Sequence, residues 1–256
     1  MRKRAKLTKY VYADPRQMGR AAAEHAGNVI AGVIEAKGIA NIILATGASQ
    51  FETLHYLVQS DKIAWEKVIM FHLDEYIGLG SDHPAGFRKY LKERFVDKVS
   101  PLKAAYFIEG NAQEPREECR RVGNIIAAHR IDVALVGIGE NGHLAFNDPP
   151  ADFETQEPFI IVALDQACRK QQLGEGWFNS LDEVPCQAIS VSIRQIMKSK
   201  SIIVSAPDER KAEAVKNALE GPVSNRCPAS ILQQHGDCNV FLDRASASLL
   251  SSETAK

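Results

Sequence analysis

Three short apolar runs constrain this chain more than any other feature: residues 41–45 (NIILA), 67–73 (KVIMFHL) and 132–136 (DVALV). Each is rich in Ile, Val and Leu, too short for an ordinary helix, and followed closely by Gly or polar residues. A strand that is apolar on both faces belongs inside a parallel sheet covered on both sides by helices. The intervening segments read as those helices. Residues 15–36 carry Met18, Ala22, Ala26, Ile30 and Val33 on one face. Further helices are predicted over 50–59, from His83-Pro84 through 95, and over 115–129. Residues 106–108, 188–193, 201–205 and 239–242 read as strands. Residues 208–219 read as a helix with Asp208 as N-cap and Glu220-Gly221 at its end. Strands alternating with helices predict an α/β fold, a modified Rossmann-like three-layer αβα sandwich with a mostly parallel sheet.

No composition shift divides the chain, so residues 1–256 are expected to form a single domain. Segments 1–10 and 246–256 are expected to be mobile tails, and 151–183, with weak periodicity, a lid or an irregular insert. The basic opening residues lack an apolar stretch behind them, which argues against a secretory signal. The 31 basic and 32 acidic residues balance, which gives no reason to expect nucleic acid or a membrane surface as partner. No apolar run approaches the roughly 18 residues that span a bilayer. Cys119, Cys168, Cys186, Cys227 and Cys238 are odd in number, widely spaced and without a C-x-x-C pair. That pattern disfavours disulfides and zinc knuckles and suits a reducing, cytoplasmic compartment.

In an open parallel sheet, ligands bind beyond the carboxyl ends of the strands, and three polar clusters fall there. The first is Thr46-Gly47-Ala48-Ser49, whose hydroxyls, glycine and free backbone N–H groups suit a phosphate. It is neither a Walker loop nor a G-x-G-x-x-G, so a nucleotide is not indicated. In the second, Asp74-Glu75, one carboxylate can face a cleft while its neighbour pairs or caps. A partly desolvated carboxylate gains basicity and can take a proton next to a carbonyl. The third runs from Gly137 through Gly139, Glu140, Asn141, Gly142 and His143 to Asp148. Its glycines let the backbone approach a ligand, His143 is a proton carrier near neutral pH, and Glu140 and Asp148 are placed to orient the imidazole. His72, inside a strand, reads as a core histidine. Trp65 and Trp177 read as packing residues, and Arg194 either lines the site or lies on the surface.

Taken together, 45–49 (ATGAS), 71–79 (FHLDEYIGL) and 136–149 (VGIGENGHLAFNDP) resemble the glucosamine-6-phosphate deaminase/isomerase family, related to 6-phosphogluconolactonase. Residues 207–212 (PDERKA) and the segment from Gly221 to His235 extend the resemblance, which covers about 15–245. The resemblance implies an amino-sugar phosphate substrate, no metal or organic cofactor, and roles at matching positions. Asp74 is the base that moves a proton between C2 and C1 of the open-chain sugar. His143 assists ring opening, positioned by Asp148 and its neighbours Glu140 and Asn141. Thr46, Gly47, Ala48, Ser49 and Lys211 hold the phosphate, with Glu75, Gly139 and Gly142 beside the ligand. Members occur as monomers and as higher oligomers, so a homo-oligomer is compatible with it.

Several positions depart from the family's pattern. Asn141 stands where members commonly carry aspartate, and Asp148 where they carry glutamate. The phosphate-binding arginine falls at Gln172, leaving Arg169 or Lys170 to compensate. Ala151, Asp152, Pro158 and Ile160 occupy the neighbourhood of an allosteric phosphate site, which implies no activation by N-acetylglucosamine 6-phosphate. Three alternatives stay open: the galactosamine epimer as substrate, 6-phosphogluconolactonase, and a sugar-phosphate sensor that hardly turns over. Against the lactonase, the loop continues Leu144-Ala145-Phe146-Asn147-Asp148 rather than with a Thr-Ala-Ser-Leu-Phe type run.

Overall fold

The structure, a computed structural model, describes residues 6–251. Its strands are β1 (Leu7–Tyr12), β2 (Ala40–Leu44), β3 (Val68–His72), β4 (Asp74–Tyr76), β5 (Ala104–Tyr106), β6 (Val133–Val136), β7 (Phe159–Ala163), β8 (Gln187–Val191), β9 (Ser201–Ala206) and β10 (Cys238–Asp243). The helices are α1 (Pro15–Lys37), α2 (Phe51–Leu57), α3 (Phe87–Leu91), α4 (Asp97–Val99), α5 (Pro115–Ala127), α6 (Gln166–Gly174), α7 (Ile193–Met197) and α8 (Ala212–Glu220).

Seven strands make one wholly parallel sheet in the order β1-β10-β9-β6-β2-β3-β5. From β2 the chain steps outward through β3 to β5. It then returns to β6 and steps the other way through β9 and β10. The β2/β6 junction is therefore the topological switch point, where the loops after the two strands diverge and leave a crevice.

Side chains alternate between the sheet's two faces. Ile42 and Leu44 join Met18, Ala22, Ile30 and Leu54 in a core beneath α1 and α2. Ile43 joins Val122, Ile126, Val204 and Val215 beneath α5 and α8 on the other face. Helix α1 begins where Asp14 accepts the Gln17 N–H (2.7 Å) and ends at Gly38, whose φ of 79° suits a residue without a side chain. Helices α1 and α2 touch at Gly19, where an added Cβ would lie 2.3 Å from Glu52 Cβ.

A second sheet, β4-β8-β7, is antiparallel and was not foreseen in the sequence. Leu73 joins the two sheets: its N–H donates to Leu44 and its carbonyl accepts from Val191. Asp74 is thus the first residue past that seam. Behind it Tyr76, Phe87, Phe146 and Phe178 form an aromatic core.

Five expectations are corrected. The segment expected to be a tail at 1–10 contributes residues 7–10 to β1, a strand paired along its length with β10; residues 1–5 lie outside the described residues. At the other end, Ser246 is fully buried and bonded to Asp243, so 246–251 is docked; 252–256 lie outside the described residues. The insert at 151–183 contains β7 and α6. The helix expected from His83 starts at Phe87, for a reason given below, and the strand expected at 106–108 lies at Ala104–Tyr106. No helix among the described residues is long and apolar enough to cross a membrane.

Strand β1 is fixed by side chains as well as by its ladder, since Tyr10 stacks on Phe241 with ring centroids 4.9 Å apart. Tyr10→Ala should therefore lower the unfolding free energy by about 2 kcal/mol in urea titrations. An unchanged midpoint would show that the strand is not anchored there.

Candidate active site

Beyond the β2/β6 switch point lies a cleft of about 500 Å³. It is lined by the turn after β2 (Thr46, Gly47, Ala48, Ser49), the turn after β6 (Gly137, Ile138, Gly139), Asp74, His143 and Phe146, Lys211, and Gln171, Gln172 and Glu175 of α6 and its C-cap. Nine sequence-predicted residues meet here: Thr46, Gly47, Ala48, Ser49, Asp74, Gly139, His143, Gln172 and Lys211.

Asp74 is 5% exposed. Burial, and then the neighbouring Glu75 carboxyl, push its carboxyl up to about 8, partly offset by the Phe146 N–H. Glu75 points the other way. Its oxygens accept the N–H groups of Tyr76 (2.9 Å), Phe87 (3.1 Å) and Arg88 (2.7 Å). Glu75 therefore caps α3 from another element, which is why α3 starts at Phe87 and not at His83. The expectation of Glu75 beside the ligand is corrected on that ground.

The loop after β6 holds His143 through a relay. The imidazole Nδ1 lies 3.0 Å from Asp148 Oδ1. Asp148 also accepts the Asn141 amide (3.0 Å) and the Asp165 N–H (2.9 Å). Burial pushes the Asp148 carboxyl up, but the His143 ring, the Asn141 amide and the Asp165 N–H together outweigh it and hold it below the usual carboxylate range. The imidazole Nε2 lies beside Gly139, where an added Cβ would come within 2.3 Å of the ring. Only glycine leaves room for the imidazole at that position.

Asn141 and Asp148 do not line the cleft; they position the imidazole. The Asn141 amide nitrogen lies between two carboxylates, Asp148 and Asp165 (3.1 Å), while its Oδ1 accepts the His143 N–H. Glu140 does not orient the ring. Its side chain turns to Arg210, 3.3 Å away, and its N–H donates to Gln171. Gly142, with φ of 82°, serves the turn and packs against Cys227.

Arg169 is the remaining correction. Its guanidinium donates to the carbonyls of Leu181 (2.5 Å) and Val184 (2.9 Å), tying α6 to the segment beyond it and away from the cleft. Lys170 is exposed and lines no part of the cleft. Lys211 is the cation in place: it is buried, lines the cleft, and makes no ion pair among the described residues. Burial lowers its pKa, opposed by the charges of Glu175 and Glu140.

Gln171 and Glu175 were missed in the sequence. They follow no strand expected from the sequence, and the helix that presents them sits in the segment expected to be irregular. Gln172, expected at the arginine's place, lines the cleft and accepts the Tyr76 hydroxyl at 2.8 Å. His72 is buried, with Nδ1 facing the Ile108 N–H at 3.4 Å and burial lowering it to about 3. Trp65 packs on Phe95 and Trp177 on Phe51, while Arg194 is exposed.

Among the described residues, His143, Asp148 and Cys168 bring ligand-type atoms within 4.8 Å of one another. Burial and the nearby carboxylates push the Cys168 thiol far up, so it stays protonated and fits the hydrogen-bonded relay rather than a thiolate ligand.

Residues 13–240 match the model of the family described as glucosamine-6-phosphate isomerases/6-phosphogluconolactonase. The chain belongs to this family. It is 38% identical over 213 residues to a glucosamine-6-phosphate deaminase of Exiguobacterium sibiricum, covering 83% of this chain and 82% of that one. The corresponding Bacillus cytotoxicus protein is 36% identical over 233 residues, covering 91% and 87%. Among solved structures of the family, a monomeric glucosamine-6-phosphate deaminase superposes with a TM-score of 0.85 at 31% identity, covering 95% and 99%. The 6-phosphogluconolactonase of Trypanosoma brucei superposes at 0.79 with 17% identity, covering 97% and 100%, which establishes the shared fold.

The raised Asp74 carboxyl has a consequence for stability. Folded, it keeps its proton up to about pH 8, whereas the unfolded chain releases it near its ordinary value of 3.8. The folded state therefore binds more protons between those values. The stability tied to the neutral carboxyl is complete below 3.8 and lost as pH rises towards 8. Asp74→Asn should raise Tm by several degrees at pH 9 and by clearly less at pH 5, read by calorimetry. Equal shifts at both pH values would contradict the burial penalty.

Proposed function

We propose that this chain is a glucosamine-6-phosphate deaminase, converting glucosamine 6-phosphate and water to fructose 6-phosphate and ammonia. The observation that carries it is that a buried carboxyl, Asp74, a positioned imidazole, His143, and the buried Lys211 ammonium, which makes no ion pair among the described residues, all line one cleft. Relatives bearing that activity in their names, at 36–38% identity over most of both chains, support it.

In this mechanism the phosphate sits against the 46–49 turn and Lys211, and its binding energy places the reacting carbons. His143 takes the proton of the C1 hydroxyl and passes it to the ring oxygen, the C1–O5 bond breaks, and the sugar opens to the aldehyde. The C1 carbonyl acidifies the hydrogen on C2. Asp74, ionised, takes that proton while the C1 oxygen gains one from the substrate's C2 ammonium, leaving an enolamine across C1 and C2, and Asp74 returns its proton to C1. The nitrogen is now an imine on C2. Water adds to give a carbinolamine, and ammonia leaves as the C2 carbonyl forms. The substrate's own carbonyl is the electron sink. Asn141 and Asp148 act through His143 and touch no substrate atom.

The test is ammonia release from glucosamine 6-phosphate, with galactosamine 6-phosphate alongside. Asp74→Asn should lower kcat by about 10²–10⁴-fold. Because the base must be ionised, kcat/KM should rise with pH and level off above about 8. Faster release from the galactosamine epimer would reassign the sugar. Unchanged turnover in the variant would remove the base, and acid release from 6-phosphogluconolactone without ammonia from either sugar would overturn the deaminase.

A further inference from the structure

The anion end of the cleft already contains an acid. Glu175 caps the C-terminus of α6, and its side chain runs down onto the turn after β2. Its Oε2 is 3.5 Å from the Ala48 N–H and 3.7 Å from the point where a Cβ on Gly47 would stand. Its Oε1 accepts the Gln171 amide at 3.0 Å, which holds the carboxylate in that direction. Of the charges acting on the buried Lys211, that of Glu175 is the strongest. A carboxylate therefore already accepts the Ala48 N–H of the 46–49 turn, in the same cleft as Lys211, a buried cation that makes no ion pair among the described residues. Gly47, with φ of 84°, keeps the approach open, since a side chain there would be strained and would crowd Glu175.

A carboxylate seated among anion-binding groups is a competitor for them. We propose that Glu175 is a tethered occupant of the phosphate position, which an incoming phosphoryl group displaces, and that this competition sets the site's selectivity for dianions. The inference rests on the phosphate end assigned above. A singly charged anion replaces one carboxylate by another and gains little. A dianionic phosphoryl group offers more charge and three acceptor oxygens to the same donors, and displaces the side chain. Glu175 is half-buried at a helix end, so it can rotate towards solvent without opening the core.

The experiment is calorimetric titration of inorganic phosphate into the wild-type protein, Glu175→Gln and Glu175→Asp, with Tm recorded for each. Removing the competing charge in Glu175→Gln should lower the Kd for phosphate by about tenfold. Glu175→Asp keeps the charge but loses the reach, and should recover most of that gain. Phosphate binding that is unchanged or weaker in both folded variants overturns the proposal, as does a failure of all three proteins to bind phosphate. The titration needs no turnover. Tighter binding in the variants, in a protein that releases no ammonia, would leave Glu175 as proposed and remove the deaminase. Ammonia release with an unmoved phosphate Kd would do the reverse.

Discussion

Asp74 is held out of water at the seam between the parallel sheet and the small antiparallel sheet, and the site is organised around that burial. An ionised carboxylate there would forfeit its hydration with little in return, so the group stays protonated far above its ordinary range. The surroundings make the position rigid. Leu73 is bonded to both sheets, β4 pairs residue for residue with β8, and Tyr76 is clamped among aromatic rings. Glu75 is turned away by three backbone N–H groups. Two adjacent acids thus take separate parts: one lines the cleft with a single backbone N–H, that of Phe146, offsetting its burial, while the other is satisfied as the cap of α3.

The imidazole of the cleft depends on a chain of hydrogen bonds rather than on burial alone. Asp165 caps α6 through the Cys168 N–H and donates its own N–H to Asp148, which faces His143. Asn141 stands between the two carboxylates as a donor to both. An aspartate there would bring three carboxylates together, so the amide at 141 fits the acid at 165. Gln171, on the same helix, touches the Glu140 N–H with one end of its amide and Glu175 with the other. Helix α6 therefore meets both the histidine loop and the anion end.

The parallel sheet was legible because its strands are apolar on both faces, and the cleft because polar clusters ended three of them. Strand β4 was hidden because Asp74, Glu75 and Tyr76 show no alternation; their strand character comes from pairing with β8. Strand β1 was hidden because Leu7–Tyr12 is half-polar and lies next to basic residues, and only its pairing with β10 reveals it. Asp74 and His143 were placed at the cleft by clusters that tie residue type to a strand end, and Lys211 by the family resemblance of residues 207–212; all three line it. Glu75, Glu140 and Arg169 were misassigned because neighbours in sequence point in opposite directions once a strand or helix is imposed. Gln171 and Glu175 carry no local signal, since their approach to the 46–49 turn is set by where α6 packs.

The most direct measurement is a carbon-13 NMR titration of aspartate side-chain carboxyls, with the Asp74 resonance assigned by its loss in Asp74→Asn. A carboxyl buried at the seam of the two sheets should titrate with a midpoint near 8. A midpoint near the ordinary aspartate value of about 4 would place Asp74 in water and contradict the base, its burial and the pH dependence together.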